Sequence, residues 1–152
     1  MDSCDIRIDK EGIWYYRGAH MFRKEILDIF FKNIRIDQDG KYLIALGEEC
    51  CYLDVEDTVF VVSAVYKTRT EADAAECVYI QLTDDSMEKL NLNSLYVGRA
   101  NIMYCRVKDG RFPARFSRKS YYQLAEFIEQ EEKTDCFFIR WNNKKYFINN
   151  MQ

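Results

Sequence analysis

The 152-residue chain contains one histidine, one proline and six glycines. A single imidazole, His20, excludes a multi-histidine metal centre. One proline, Pro113, and few glycines imply short connections and no flexible linker. No apolar run reaches the length of a membrane-spanning helix, and the opening MDSCDIRID lacks the charged leader and apolar stretch of a signal peptide. No membrane partner is expected, and the location expected is cytoplasmic. Lysine and arginine form no basic run and the net charge is −3, which argues against a nucleic-acid partner. The loops G-x-x-x-x-G-K-[ST], G-x-G-x-x-G and G-x-S-x-G and the pair H-E-x-x-H are all absent. Hydrolase and NTPase readings therefore lose their usual grounds.

Cysteine is present six times, at Cys4, Cys50, Cys51, Cys77, Cys105 and Cys136, yet no two are spaced C-x-x-C. With one histidine there is no ligand set for zinc. The residues read as reduced thiols, mostly buried, with no metal and no cofactor. Cys50 and Cys51 are adjacent in an extended stretch, so their side chains are expected on opposite faces.

What the chain has in quantity is aromatic residues: 11 Tyr, 10 Phe and 2 Trp. They sit in alternating patterns that read as strands. The phrase IRIDKEG (6–12) recurs as IRIDQDG (34–40). In each copy the isoleucines read as core-facing. The segment from Asp to Gly reads as a hairpin turn, because Asp initiates turns and Gly tolerates positive φ. Between the copies, residues 20–33 place Phe22, Ile26, Ile29 and Phe30 at helical spacing, with Leu27 and Phe31 widening the stripe. The first third therefore reads β-β-α-β-β.

The C-terminal third repeats that order. IMYCRVKDGRFPARF (102–116) reads as a hairpin about Lys108-Asp109-Gly110. Residues 117–132 read as a helix with Ser117 as N-cap and Tyr121, Leu124, Ala125 and Ile128 on one face. CFFIRWNNKKYFINN then reads as two strands across Asn142-Asn143. Residues 50–98 look mostly extended, with a turn or short helix at 69–75 and a helical or irregular connection at 86–98. The fold class expected is α+β, with two related β-β-α-β-β units (1–49 and 99–152) joined by central antiparallel strands (50–98). Units of about fifty residues are marginal alone, so one compact domain or two intimate lobes is expected.

The stretch from Asp5 to Val62 resembles a bacterial domain-of-unknown-function family, number 1285. The resemblance rests on Ile6, Ile8, Gly12, Trp14, Gly18, Arg23, Gly40, Tyr42, Glu49, Val55, Glu56, Asp57 and Phe60. The family's Ser-Pro-Ile is Ala19-His20-Met21 here, its Thr-Pro is Leu46-Gly47 and its Ala-Pro is Thr58-Val59. The resemblance is strongest over the first sixty residues. It implies an α+β fold of repeated motifs, no established activity and a signalling role.

Three groups of residues are candidates for chemistry. The loop before the first helix holds Arg17 and His20, where the imidazole could act on a ligand or simply cap the helix. Both helices open on basic pairs, Arg23-Lys24 and Arg118-Lys119, against the helix dipole; an anionic ligand or neighbouring carboxylates would explain them. The carboxylates Glu48, Glu49, Asp54, Glu56 and Asp57 could bind a cation or form a solvated strand face. The leading expectation is a non-enzymatic binding or regulatory module, paired with itself as a homodimer or with another protein. The alternative is a small enzyme or sensor for an anionic compound, using Arg17, His20, Arg23, Lys24, Glu49 and Glu56.

Overall fold

A computed structural model describes residues 2–69 and 76–150. The chain divides into two compact units, at 1–59 and 60–152. The N-terminal unit runs β1 (Ser3–Ile8), β2 (Trp14–Tyr16), β3 (Ala19–His20), α1 (Lys24–Lys32), β4 (Ile34–Ile36), β5 (Tyr42–Leu46) and β6 (Glu49–Val55). Its six strands form one sheet in the order β3-β2-β1-β6-β5-β4. Neighbours pair antiparallel except β1 and β6, which run parallel.

The second unit runs β7 (Phe60–Arg69), β8 (Glu76–Leu82), β9 (Met87–Lys89), β10 (Tyr96–Val97), β11 (Met103–Val107) and β12 (Phe112–Phe116). It continues with α2 (Arg118–Ala125), β13 (Ile128–Gln130), β14 (Phe137–Trp141), β15 (Lys144–Phe147) and β16 (Asn149–Asn150). Here two sheets form, β16-β10-β11-β12-β7-β8-β9 and β13-β14-β15. The α+β class is as expected. Of the turn or short helix read at 69–75, Arg69 ends β7 and residues 70–75 lie outside the described residues.

The elements run β1-β2-β3-α1-β4-β5 at one end and β11-β12-α2-β13-β14-β15 at the other, so the expected β-β-α-β-β unit is not reproduced as such, and the pairing is not repeated. The hairpins β1–β2 and β4–β5 share one sheet, with β6 between them. The hairpins β11–β12 and β14–β15 belong to different sheets. The central strands do not form a shared sheet either: β6 belongs to the first unit, and β7, β8 and β9 to the second.

The repeated IRID phrase proves to be a repeated hydrogen-bonding device. Asp9 Oδ1 accepts from the N–H groups of Glu11 and Ile13, and its Oδ2 accepts from the Tyr15 hydroxyl at 3.2 Å. In the second copy Asp37 Oδ1 accepts from Asp39 and Lys41 N–H, and its Oδ2 accepts from the Tyr52 hydroxyl at 3.0 Å. Gly12 (φ 84°) and Gly40 (φ 79°) close the two turns in the left-handed region, which glycine alone enters without steric cost. Burial opposes ionisation of Asp9, but the N–H groups of Ile13 and Glu11 and the Tyr15 hydroxyl outweigh it and hold the carboxyl below its ordinary range. Asp37 is lowered first by the Lys41 N–H, aided by Tyr52. The aspartate has two roles at once, shaping the turn and anchoring a tyrosine.

Core placement departs from the simple pattern. Ile6, Ile8 and Ile34 are buried, whereas Ile36 is exposed because β4 is an edge strand. Trp14 is 2% exposed and packs edge-on against Phe31 at 5.0 Å. The helix read at 20–33 begins only at Lys24, since Ala19 and His20 pair with β2.

The helix read at 117–132 stops at Ala125. Ile128 pairs with Ile139 across the small sheet, and Phe127 packs edge-on against Trp141 at 5.7 Å. Tertiary pairing overrides local helix preference there. Ser117 does cap this helix, accepting from Ser120 N–H at 3.1 Å. The inward face is Ser120 and Leu124 rather than Tyr121. Ser120 tolerates complete burial because its hydroxyl donates to the Val62 carbonyl at 2.8 Å.

Candidate functional site: an apolar cleft in the N-terminal unit

Helix α1 presents more apolar surface than its sheet can cover. Phe31 is buried and Phe30 half-buried, but Ile29 is 52% exposed and Phe22, just before the helix, is 74% exposed. A core helix hides such residues; a helix flanking a cleft displays them. The cleft is there, with a volume of about 550 Å³, within the range of small-molecule sites. Ile26 and Phe30 of α1 line it, together with Ile6 of β1, Ile44 and Leu46 of β5, and Tyr16, Met21 and Phe22. Cys4 and Cys51 complete the lining. The groups in it able to carry positive charge are His20 and Arg23.

Those two sit in the segment that turns from β3 into α1. Arg23 occupies the N-cap position, where Ser, Thr, Asp or Asn would normally satisfy orphan N–H groups. Its side chain makes no capping hydrogen bond. The imidazole of His20 lies between aromatic rings, 6.0 Å from Tyr15 and 5.7 Å from Phe22. An anion held here would meet a guanidinium, an imidazole and the positive end of a helix dipole beside an apolar chamber.

Of the six residues expected to act together, the structure brings His20 and Arg23 to the cleft. Lys24 opens α1 but does not line the cleft. Arg17 bonds Asp5 at 3.3 Å and lies over the Tyr16 ring at 5.1 Å. Glu49 is exposed at the start of β6, in register with Leu46. Glu56 accepts the Lys10 N–H and so closes the β1–β2 turn. Among the described residues, no group of three or more His, Cys, Asp or Glu is arranged to hold a metal ion.

The second basic helix start is different. α2 has its serine cap, and Arg118 lies over the Tyr122 ring at 5.9 Å. Glu129 faces Arg140 at 3.6 Å and Glu131 faces Lys145 at 3.0 Å, both beyond the helix.

The expectation of six reduced thiols is overturned at one pair. Cys4 and Cys51 form a disulfide between β1 and β6. Parallel pairing of these strands brings together residues separated by 47 positions, a pairing that spacing alone does not disclose. Cys50 and Cys136 are exposed thiols, and Cys77 and Cys105 are buried thiols. Burial pushes the Cys105 thiol far up, beyond any reactive range.

A second polar cluster, in the C-terminal unit, was also missed. Lys108 Nζ donates to Asp84 Oδ2 at 2.7 Å and to Ser86 Oγ at 2.9 Å. The Ser86 hydroxyl in turn donates to Asp84 Oδ1. An ammonium committed to a carboxylate is no general base for a serine. The cluster ties the β8–β9 hairpin to the β11–β12 turn, where the Lys108 N–H also reaches the Glu88 carboxylate. Its role is structural.

Residues 1–58 match the family model described as domain of unknown function (DUF1285), N-terminal domain. No curated protein matches the chain. The fold is similar to the crystal structure of a DUF1285 family protein from Silicibacter pomeroyi DSS-3 (TM-score 0.77, 18% identity) over 99% of this chain and 81% of that one. It is also similar to a DUF1285 family protein from Shewanella baltica OS155 (TM-score 0.63, 14% identity) over 80% of this chain and 90% of that one. At these identities the likeness to the two structures is one of fold. Among the described residues, no helix is long and apolar enough to cross a membrane.

Proposed function

We propose that the N-terminal unit, a DUF1285 N-terminal domain, is a non-enzymatic binding module whose cleft takes an amphipathic monoanion. The observation that carries this reading is the composition of the cleft: eight apolar or aromatic residues and a disulfide, with the Arg23 guanidinium and the His20 imidazole beside them. Such a surface rewards a ligand with an apolar body and a single acidic head. The expected anion site is thereby narrowed. Arg23 and His20 serve it, while Arg17, Lys24, Glu49 and Glu56 do not. A binding step of this kind suits a regulatory role, in which occupancy of the cleft is the signal.

Dodecanoate is a suitable probe, and Trp14, stacked 6.1 Å from the cleft-lining Phe30, is a built-in fluorescence reporter. Saturable binding of dodecanoate, weaker binding of dodecanol and loss of that discrimination in Arg23→Gln are expected. Equal affinity for acid and alcohol would defeat the anionic-head assignment. No binding of either would defeat the cleft reading.

The exposure of Phe22 and Ile29 favours a second reading, in which a protein partner or a second copy of the chain covers α1. Sedimentation of the chain alone separates the self-pairing case: Phe22→Ser would shift a dimer to monomer.

A further inference from the structure

The disulfide is a wall of the cleft, and it secures the least regular part of the sheet. Between Ser3 and Arg7 the register of β1 against β6 shifts: Ser3 pairs with Tyr52, yet Arg7 pairs with Asp54. Four steps along one strand match two along the other, so the intervening residues bulge. Asp5, inside the bulge, sits at φ 60°, a conformation disfavoured for residues other than glycine.

Residues below the bulge are held by burial of Ile6 and Ile8. Residues 2–5 have weaker anchors. The Asp2 carbonyl accepts from Tyr52 N–H at 2.9 Å, and the Asp5 carbonyl accepts from Arg17 N–H at 2.9 Å. The Asp5–Arg17 ion pair is largely exposed and screened by solvent. Cys4 is half-buried, lines the cleft and is bonded to Cys51 on the neighbouring strand. The covalent bond adds to these hydrogen bonds, and to that from Asp5 N–H to Ser3 Oγ at 3.0 Å, a constraint that solvent does not screen.

We infer that the Cys4–Cys51 disulfide is a redox latch on the cleft: intact, it holds residues 2–5 in place as a binding wall, and its reduction releases the wall and weakens ligand binding. This rests on the cleft being a ligand site. The reductant is a dithiol. One of its thiolates attacks a sulfur of the bridge, the S–S bond breaks, and the displaced cysteine sulfur takes up a proton. The second thiol of the reductant then resolves the mixed disulfide, releasing the other cysteine as a thiol. Two electrons and two protons pass to the protein, and the reductant leaves as a disulfide. Cys50, exposed and next to Cys51 in a strand, alternates to the other face, so the exchange partner is external. Coupling is reciprocal: if oxidation strengthens binding, ligand must favour the oxidised bridge by the same factor.

The test compares oxidised protein, dithiothreitol-reduced protein and the double variant Cys4→Ser/Cys51→Ser. Dodecanoate should bind the oxidised form roughly tenfold more tightly than the other two, within the ordinary range of allosteric coupling. In a dithiothreitol redox buffer, dodecanoate should raise the oxidised fraction by a matching factor. Independently of ligand, the amides of Tyr52 and Arg17 should exchange faster with solvent deuterium in the reduced form. Equal affinities in all three forms would overturn the latch. So would six titratable thiols in unreduced, unfolded chain in place of the four expected. If dodecanoate binds no form, the cleft reading falls, and unchanged exchange at Tyr52 and Arg17 then refutes the latch by itself.

Discussion

Replacing Lys108 with methionine removes the ammonium from the Asp84–Ser86–Lys108 cluster while keeping a straight apolar stem over the Phe60 ring, which the Nζ approaches to 5.3 Å. The side chains of Lys108 and Asp84 are 22% and 13% exposed, so this is a sheltered pair rather than a surface one. Loss of a charge-assisted hydrogen bond in such a place costs about 1.5–3 kcal/mol. Residual solvent access and the surviving Ser86 bonds reduce that to about 1–2 kcal/mol.

The acid dependence carries the sharper signature. Burial opposes ionisation of Asp84, but the Lys108 ammonium and the Ser86 hydroxyl and N–H outweigh it, so its pKa stands below the ordinary value of 3.8. A carboxylate with a lowered folded-state pKa contributes stability above its unfolded pKa and loses it as pH falls through the folded one. Lys108→Met should therefore be costly at pH 7, and the difference from the parent should narrow below about pH 4 as Asp84 protonates.

Urea unfolding followed by tryptophan emission measures both, in a Trp14→Phe background that leaves Trp141 as the reporter of the C-terminal unit. A cycle with Asp84→Asn should return a coupling of about 1 kcal/mol. A pH-independent cost, or a coupling near zero, would refute the argument that the pair is sheltered and charge-dependent.

Other outcomes follow from the same geometry. The Trp14 indole nitrogen is buried without a hydrogen-bond partner; Trp14→Phe should cost less than about 1.5 kcal/mol in urea unfolding, whereas Trp14→Ala should cost about 3–5 kcal/mol. Asp9 and Asp37 both have a lowered pKa, so Asp9→Ala/Asp37→Ala should lower the thermal midpoint at pH 7 and flatten its fall on acidification below pH 4. A mercaptan-reactive dye should label two thiols quickly in the native protein, Cys50 and Cys136, and reach Cys77 and Cys105 only on unfolding; rapid labelling of all four would contradict the burial described.

Much of the fold was legible where local chemistry and tertiary pairing agree. The Asp-to-Gly turns, the Ser117 cap and the Asn142-Asn143 hairpin follow from backbone preferences of the residues themselves, and Asn142 and Asn143 do adopt φ of 50° and 64°. Strand partnership was not legible, because hairpins of similar sequence can join one sheet or two. That choice rests on parallel contacts of β1 with β6 and of β12 with β7, which leave no local mark. The same blindness hid the disulfide.

At the site, His20 and Arg23 stood out by rarity and by position. The cleft itself had a signal in the wide apolar stripe read at 20–33. Phe22, Ile26, Ile29, Phe30, Leu27 and Phe31 are more apolar surface than one short helix can bury against a sheet, and of these Phe22, Ile26 and Phe30 line the cleft. Asp84, Ser86 and Lys108 were invisible for another reason. Their meeting depends on two turns from hairpins far apart in sequence.

The central claim is that an amphipathic anion occupies the cleft of the N-terminal unit. The most direct test is an amide chemical-shift map of the oxidised protein titrated with dodecanoate. The account predicts saturable shifts concentrated at Tyr16, residues 20–26 and Ile44–Leu46, with the Arg23 side-chain signal moving most and residues 76–150 unmoved. Shifts absent from those segments, or strongest in the C-terminal unit, would contradict it.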